Sequence, residues 1–279
     1  GGGGVLRDYP KNNLETRLDP FGNPSKGNIG LALGFDGLYT KKGKEIIKKL
    51  DDFDFVTVRD TLSKKNLKPF LSKKIEVSAC PAFLLETNKK SKLNIKYKKA
   101  IGINLRNIPD SEWNNYIYYP KKVDTDSMRK WFKDYINNSL KPELKNLSSE
   151  YKLFFVPFAR EDISLARDFF QDIPMRVLSL MDPIQMLATV KNFDKMICMR
   201  YHSIIFSIIA EKPFFAISYH NKTKALLESI PNINYIDVLH PKTEKIQFSM
   251  QPEEIFKIKR KFIKSSEINF QNLKLNLEK

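Results

Sequence analysis

Four places in the chain put a cation or an imidazole directly after an apolar run. Arg106 follows Ala100 to Leu105, and Arg160 and Asp162 follow Tyr151 to Phe158. Arg200, Tyr201 and His202 follow the run ending at Met199, and Tyr219, His220, Asn221 and Lys222 follow Phe214 to Ser218. A guanidinium grips carboxylate or phosphate through paired N–H donors, and a lysine adds a point charge. An imidazole, with an ordinary pKa of about 6.5, can give or take a proton near neutrality. Together these residues suit the capture of a small anion and a proton transfer beside it. Each also admits a plainer role. Arg106 could bridge surface carboxylates, Arg160 and Asp162 could pair with each other, Lys222 could be solvated, and His202 could be a buried, hydrogen-bonded histidine. Convergence on one rim favours the functional reading.

The elements that must position them alternate strand and helix. Ile29 to Phe35, Phe53 to Val58 and Ile75 to Cys80 read as strands, with a helix over Lys44 to Leu50 and another that Asp60 or Thr61 caps and that reaches about Phe70. Residues 86–98 are polar, Lys-rich and aperiodic, as expected of a linker. Beyond them strands are expected over Ala100 to Leu105, Tyr151 to Phe158, Val177 to Leu180, Lys195 to Cys198 and Phe214 to Ser218. Helices are expected over Asp126 to Leu147, Asp162 to Phe170, Asp182 to Val190, His202 to Ala210 and Lys222 to Glu228. Gln251 to Lys279 reads as a helical, basic tail that packs back on the lobes. Such alternation implies parallel sheets covered by helices: an α/β protein of two Rossmann-like lobes, residues 1–90 and 91–250, with a tail over 251–279. In open parallel sheets ligands gather beyond the carboxyl ends of the strands, where the four polar groups fall, and helix N-termini there favour negative charge.

Composition narrows the partners. The net charge is +16 with pI ≈ 9.6. Lysine supplies most of it and is scattered through nearly every segment, unlike the clustered, arginine-rich stripe of a nucleic-acid binder. Solvated lysine faces are the favoured reading, attraction of an anionic substrate or membrane surface is the second, and nucleic acid is not expected. No apolar run approaches the roughly 20 residues of a membrane span, and no secretion signal opens the chain, so a cytoplasmic location is expected. The only cysteines, Cys80 and Cys198, lie in apolar stretches and read as buried reduced thiols. With three histidines they offer no zinc spacing, and no metal is expected. Gly1 to Gly4 could let a backbone turn approach a ligand closely, or be a flexible spacer. They run into Val5 and Leu6 as though the sequence starts inside a domain.

The run Met199 to Ser207, then Glu211-Lys212-Pro213 and Ile217 to Lys222, resembles the polysaccharide pyruvyl transferase family. That pattern is an Arg-x-His run opening a helix, a Pro before the next strand, then Tyr and Lys in the following loop. Val58-Arg59-Asp60 with Ser63 and Leu67, Pro81-Ala82-Phe83, the Gly-rich opening with Leu6 and Asp8, and Arg106 fit it as well. Tyr201 departs from the family's usual Leu, and the family's opening strand and helix are absent. The resemblance implies a GT-B-like arrangement with an incomplete N-terminal lobe. It also implies transfer of a pyruvyl group from phosphoenolpyruvate to two hydroxyls of one sugar, without metal or cofactor. His202, Arg200 and Arg106 would be catalytic, and Lys222, Tyr219, Arg160, Gly2, Gly3 and Gly4 would bind substrate. The acceptor would be a saccharide, lipid-linked or free, handled in the cytoplasm or at the inner membrane face. The competing readings are a nucleotide-sugar glycosyltransferase of the two-lobed kind, a non-catalytic saccharide- or anion-binding protein, and, last, a nucleic-acid binder.

Overall fold

The computed structural model describes residues 6, 28–35, 41–91, 99–108, 124–241, 245–248 and 250–277. Gly2, Gly3 and Gly4, and residues 92–98 of the expected linker, lie outside them. The chain divides into two compact units after Leu84, and residues from Arg260 onward belong with the first.

In the first unit, strands β1 (Ile29–Leu33), β2 (Phe55–Val58) and β3 (Ile75–Val77) form a parallel sheet in that order. Its connections are α1 (Lys41–Ile46), continued by a 3-10 turn over Ile47–Asp52, and α2 (Thr61–Leu67). Leu33, Phe35, Leu50, Val56, Val58 and Leu67 meet in its core. The Arg59-Asp60-x-x-Ser63 run is structural. Asp60 caps α2 by accepting the Ser63 N–H at 2.6 Å and pairs with Arg59 Nε at 3.1 Å. Ser63 Oγ in turn accepts the Phe35 N–H at 3.0 Å, fixing the exit from β1.

The second unit has six strands: β4 (Ala100–Asn104), β5 (Lys152–Phe155), β6 (Met175–Val177), β7 (Lys195–Cys198), β8 (Phe214–Ser218) and β9 (Tyr235–Asp237). All pair in parallel, in the order β6-β5-β4-β7-β8-β9. Every residue of β4 and β8 is buried, which is why both read as unbroken apolar runs. A Cβ on Gly102 would collide with Met196 and Phe193, so the centre of the sheet needs glycine there. The connecting helices are α3 (Thr125–Tyr135), α4 (Lys141–Ser148), α5 (Arg160–Phe169), α6 (Pro183–Val190), α7 (Tyr201–Ile209) and α8 (Asn221–Glu228). The chain winds outward from β4 through β5 to β6, then returns to β7 on the other side of β4. Neighbouring loops part at that switch point, and ligands bind there in sheets of this kind.

Two expectations need correction, and one strand was missed. The helix expected over Asp126 to Leu147 widens into a π turn at Ile136–Leu140, just before Pro142, which has no N–H to give a carbonyl one turn earlier. The strand expected over Val177 to Leu180 lies earlier, because pairing with β5 sets its register and leaves Val177 and Leu180 exposed at the edge. The three-residue strand β9 was too short to show a periodicity.

The tail is helix α9 (Pro252–Leu277). From Arg260 on it packs on the first unit, where Phe262 stacks on Phe83 with ring centres 4.5 Å apart. No helix among the described residues is long and apolar enough to cross a membrane.

Candidate active site

The carboxyl ends of β4, β5 and β7 are stitched together by Asn104, the fully buried last residue of β4. Its Nδ2 donates to the Val156 carbonyl at 3.0 Å and to Asp162 Oδ2 at 3.3 Å. Its Oδ1 accepts the Arg200 N–H at 3.0 Å. One amide therefore ties the loops after β5 and β7 to β4. Among the residues that matter here, Asn104 and Glu161 escaped sequence reasoning; an amide inside a wholly apolar strand was the available signal for the first.

Asp162 is the buried anchor of the next layer. Its Oδ2 accepts the Phe158 and Ala159 N–H groups at 3.0 and 3.1 Å, closing the first turn of α5. Arg200 then lies against it. Arg200 Nε donates to both Asp162 oxygens at 2.9 Å, while Nη2 reaches Asp162 at 2.6 Å and Glu161 at 2.7 Å. The plainer alternative, an Arg160–Asp162 pair, does not form. Asp162 turns inward to Arg200, and Arg160 is exposed with no ion pair among the described residues. Burial opposes the charge on Arg200, but the hydrogen bonds and charge of Asp162, then Glu161, raise its pKa above the ordinary value. Burial likewise works to raise the Glu161 pKa. Its own backbone N–H, Arg200 and the more distant charge of Arg106 outweigh that and hold it below the usual range. The Nη1 of Arg200 has no hydrogen-bond partner among the described residues.

Arg106, one residue past the β4 run, is buried against Tyr219. Its Nη1 donates to Tyr219 Oη at 3.1 Å and its guanidinium carbon lies 4.8 Å from the ring centre. Its Nε donates to the Asn107 carbonyl at 3.0 Å. A plain surface bridge between carboxylates is therefore not its role. Tyr219 also acts electrostatically on Arg200, which places its phenol in the neighbourhood of both guanidinium groups. His220 caps α8: its Nδ1 accepts the Lys222 N–H at 3.1 Å, which puts the proton of the neutral ring on Nε2. Lys222 is half-buried in the first turn of that helix.

His202 is exposed in the first turn of α7, its ring edge-on to the buried Tyr201 with centres 5.5 Å apart. It is not a buried structural histidine. Arg106, Arg200 and Tyr219 are thus brought together, His202 stands two residues beyond Arg200, Lys222 opens the neighbouring helix, and Arg160 flanks Glu161. Both cysteines are buried free thiols, and burial pushes Cys198 up to about 12. Among the described residues no three His, Cys, Asp or Glu side chains converge to hold a metal ion.

Fold and site define a parallel α/β protein with a cationic, carboxylate-braced rim at the switch point of its larger sheet. The family model for polysaccharide pyruvyl transferase matches residues 1–221, and the chain belongs to that family. No individually curated relative matches it. Among solved structures it is similar to TarM (12% identity, TM-score 0.41, 88% of this chain and 44% of that one). It is also similar to a UDP-forming α,α-trehalose-phosphate synthase from Burkholderia xenovorans (10%, TM-score 0.45, 86% and 65%). A third is the UDP-GlcNAc 2-epimerase of Methanocaldococcus jannaschii (11%, TM-score 0.38, 76% and 62%). The chain spans less than two thirds of the length of each.

Proposed function

We propose that this chain moves a pyruvyl group from phosphoenolpyruvate onto two hydroxyls of one saccharide, forming a ketal and releasing phosphate. The observation that carries the reading is Arg106 held on Tyr219 and Arg200 braced by Asp162 at neighbouring strand ends, with an exposed His202 two residues on, in a chain of the pyruvyl transferase family.

In this reading the donor's carboxylate and phosphate face Arg106, Lys222 and the remaining edge of Arg200, which Asp162 holds in one orientation. Fixed donors of this kind act without reorganising as charge moves. The C3 methylene takes a proton and positive charge develops at C2. Two hydroxyl oxygens bond to C2 as the C2–O bond to phosphate breaks. Of the two hydroxyl protons, one balances the proton delivered to C3 and the other leaves with phosphate. His202 is the group that hands them on, since an imidazole serves as acid and base near neutral pH. Phosphoenolpyruvate is a substrate here and no cofactor is needed.

Phosphate release from phosphoenolpyruvate, measured across a panel of free and lipid-linked saccharides, tests the reading. Turnover should fall about a hundred- to ten-thousandfold in His202→Ala with the fold intact. Nucleotide release from a nucleotide sugar, with phosphoenolpyruvate inert, would replace it with glycosyl transfer.

A further inference from the structure

A cleft of about 450 Å³ lies beside the end of β4, within the range of small-ligand pockets. Arg129 enters it from α3. Its Nε and Nη2 are both buried and neither has a hydrogen-bond acceptor among the described residues. The carboxylate of Asp126 lies 3.8 Å from Nη2, too far for a hydrogen bond. Buried guanidinium donors without an acceptor are unfavourable, so this group is built to meet an acceptor that enters the cleft. Lys133, one helical turn on, adds a second positive charge to the lining. Asn107 and Asp168 offer an amide and a carboxylate, which suit hydroxyl groups. The core residue Phe132 and the half-buried Phe169 add apolar, aromatic surface to the lining.

Arg129 and Lys133, with Asp168 on the lining and Asp126 beside Arg129, set cations with open donors next to hydroxyl partners and aromatic rings, which matches a sugar that bears its own acidic group. The cleft also adjoins the anion rim, because Arg106 Nε donates to the carbonyl of Asn107. We infer that this cleft is a subsite for an acidic saccharide unit, held through its carboxylate or phosphate by Arg129 and Lys133. As the seat of the acceptor it rests on the pyruvyl-transfer reading; as a binding site it stands on the cleft alone.

Calorimetric titration with D-glucuronate, glucose 6-phosphate and glucose tests it, on the wild-type chain and on Arg129→Gln and Lys133→Gln. Saturable binding of glucuronate or glucose 6-phosphate is expected, weakened about tenfold or more in Arg129→Gln and less in the exposed Lys133→Gln, with glucose binding more weakly than either acid. The better of the two acids tells a carboxylate site from a phosphate site. Phosphoenolpyruvate affinity should be unchanged in Arg129→Gln. Glucose binding as well as the acids, no saturable binding of either acid, or acid binding unaltered in Arg129→Gln would overturn the inference. Failure of phosphoenolpyruvate itself to bind would instead count against the pyruvyl-transfer reading and leave the sugar titrations to decide this one.

Discussion

The two parallel sheets end differently at their carboxyl edges. In the first unit, polar atoms there are closed off by helix α9. Thr57 Oγ donates to Asn269 Oδ1 at 2.6 Å, and Asn269 Nδ2 reaches the Ala79 carbonyl at 3.2 Å. Ser266 Oγ adds a bond to the Cys80 carbonyl at 3.2 Å. In the second unit no such plug is built over the edge among the described residues. Its polar side chains bond one another through Asn104, Asp162 and Arg200, and leave Arg200 part-exposed and His202 at the surface. The same architecture therefore carries a capped edge and a braced, accessible one. Bracing without capping is what a binding rim requires, since the charges must be fixed yet reachable.

Substitutions can break this contrast from either side. Asp162→Ala is expected to have the largest effect on stability, about 3–5 kcal/mol, because it strands Arg200 and frees the start of α5. Arg200 keeps some exposure, which pulls the value toward the lower end. Urea unfolding measures it, and a change under about 1 kcal/mol would deny Asp162 its bracing role. Asn269→Ala is expected to destabilise the first unit by about 1–3 kcal/mol, leaving the Ala79 carbonyl and Thr57 to find new partners. Phosphoenolpyruvate affinity should not move in that variant. A loss of affinity equal to that seen on altering the second unit would erase the distinction between the edges.

The strands were legible because burial on both faces leaves continuous apolar runs, as in Phe214 to Ser218. The rim was legible too, since cations placed straight after such runs fall at strand ends. What the sequence could not show was how charges pair once there. Arg200 read as an anion-gripping cation with no partner foreseen, yet Asp162 and Glu161 meet it at contact; Arg160 had Asp162 as its plainer partner, yet it faces solvent. Pairing is a matter of three-dimensional approach between loops 38 residues apart, which no local spacing encodes. Short edge strands were hidden for the same reason: β9 exists through its ladder to β8, not through any pattern of its own.

The central claim is that cations at the switch point of the larger sheet hold phosphoenolpyruvate, with Arg106 foremost. Titration of this donor into the wild-type chain and into Arg106→Ala tests it most directly. Binding should be saturable in the first and weaker by roughly ten- to a hundredfold in the second, the range for a lost charge-assisted hydrogen-bond pair. Equal affinity in the two proteins, with the variant folded, would contradict it.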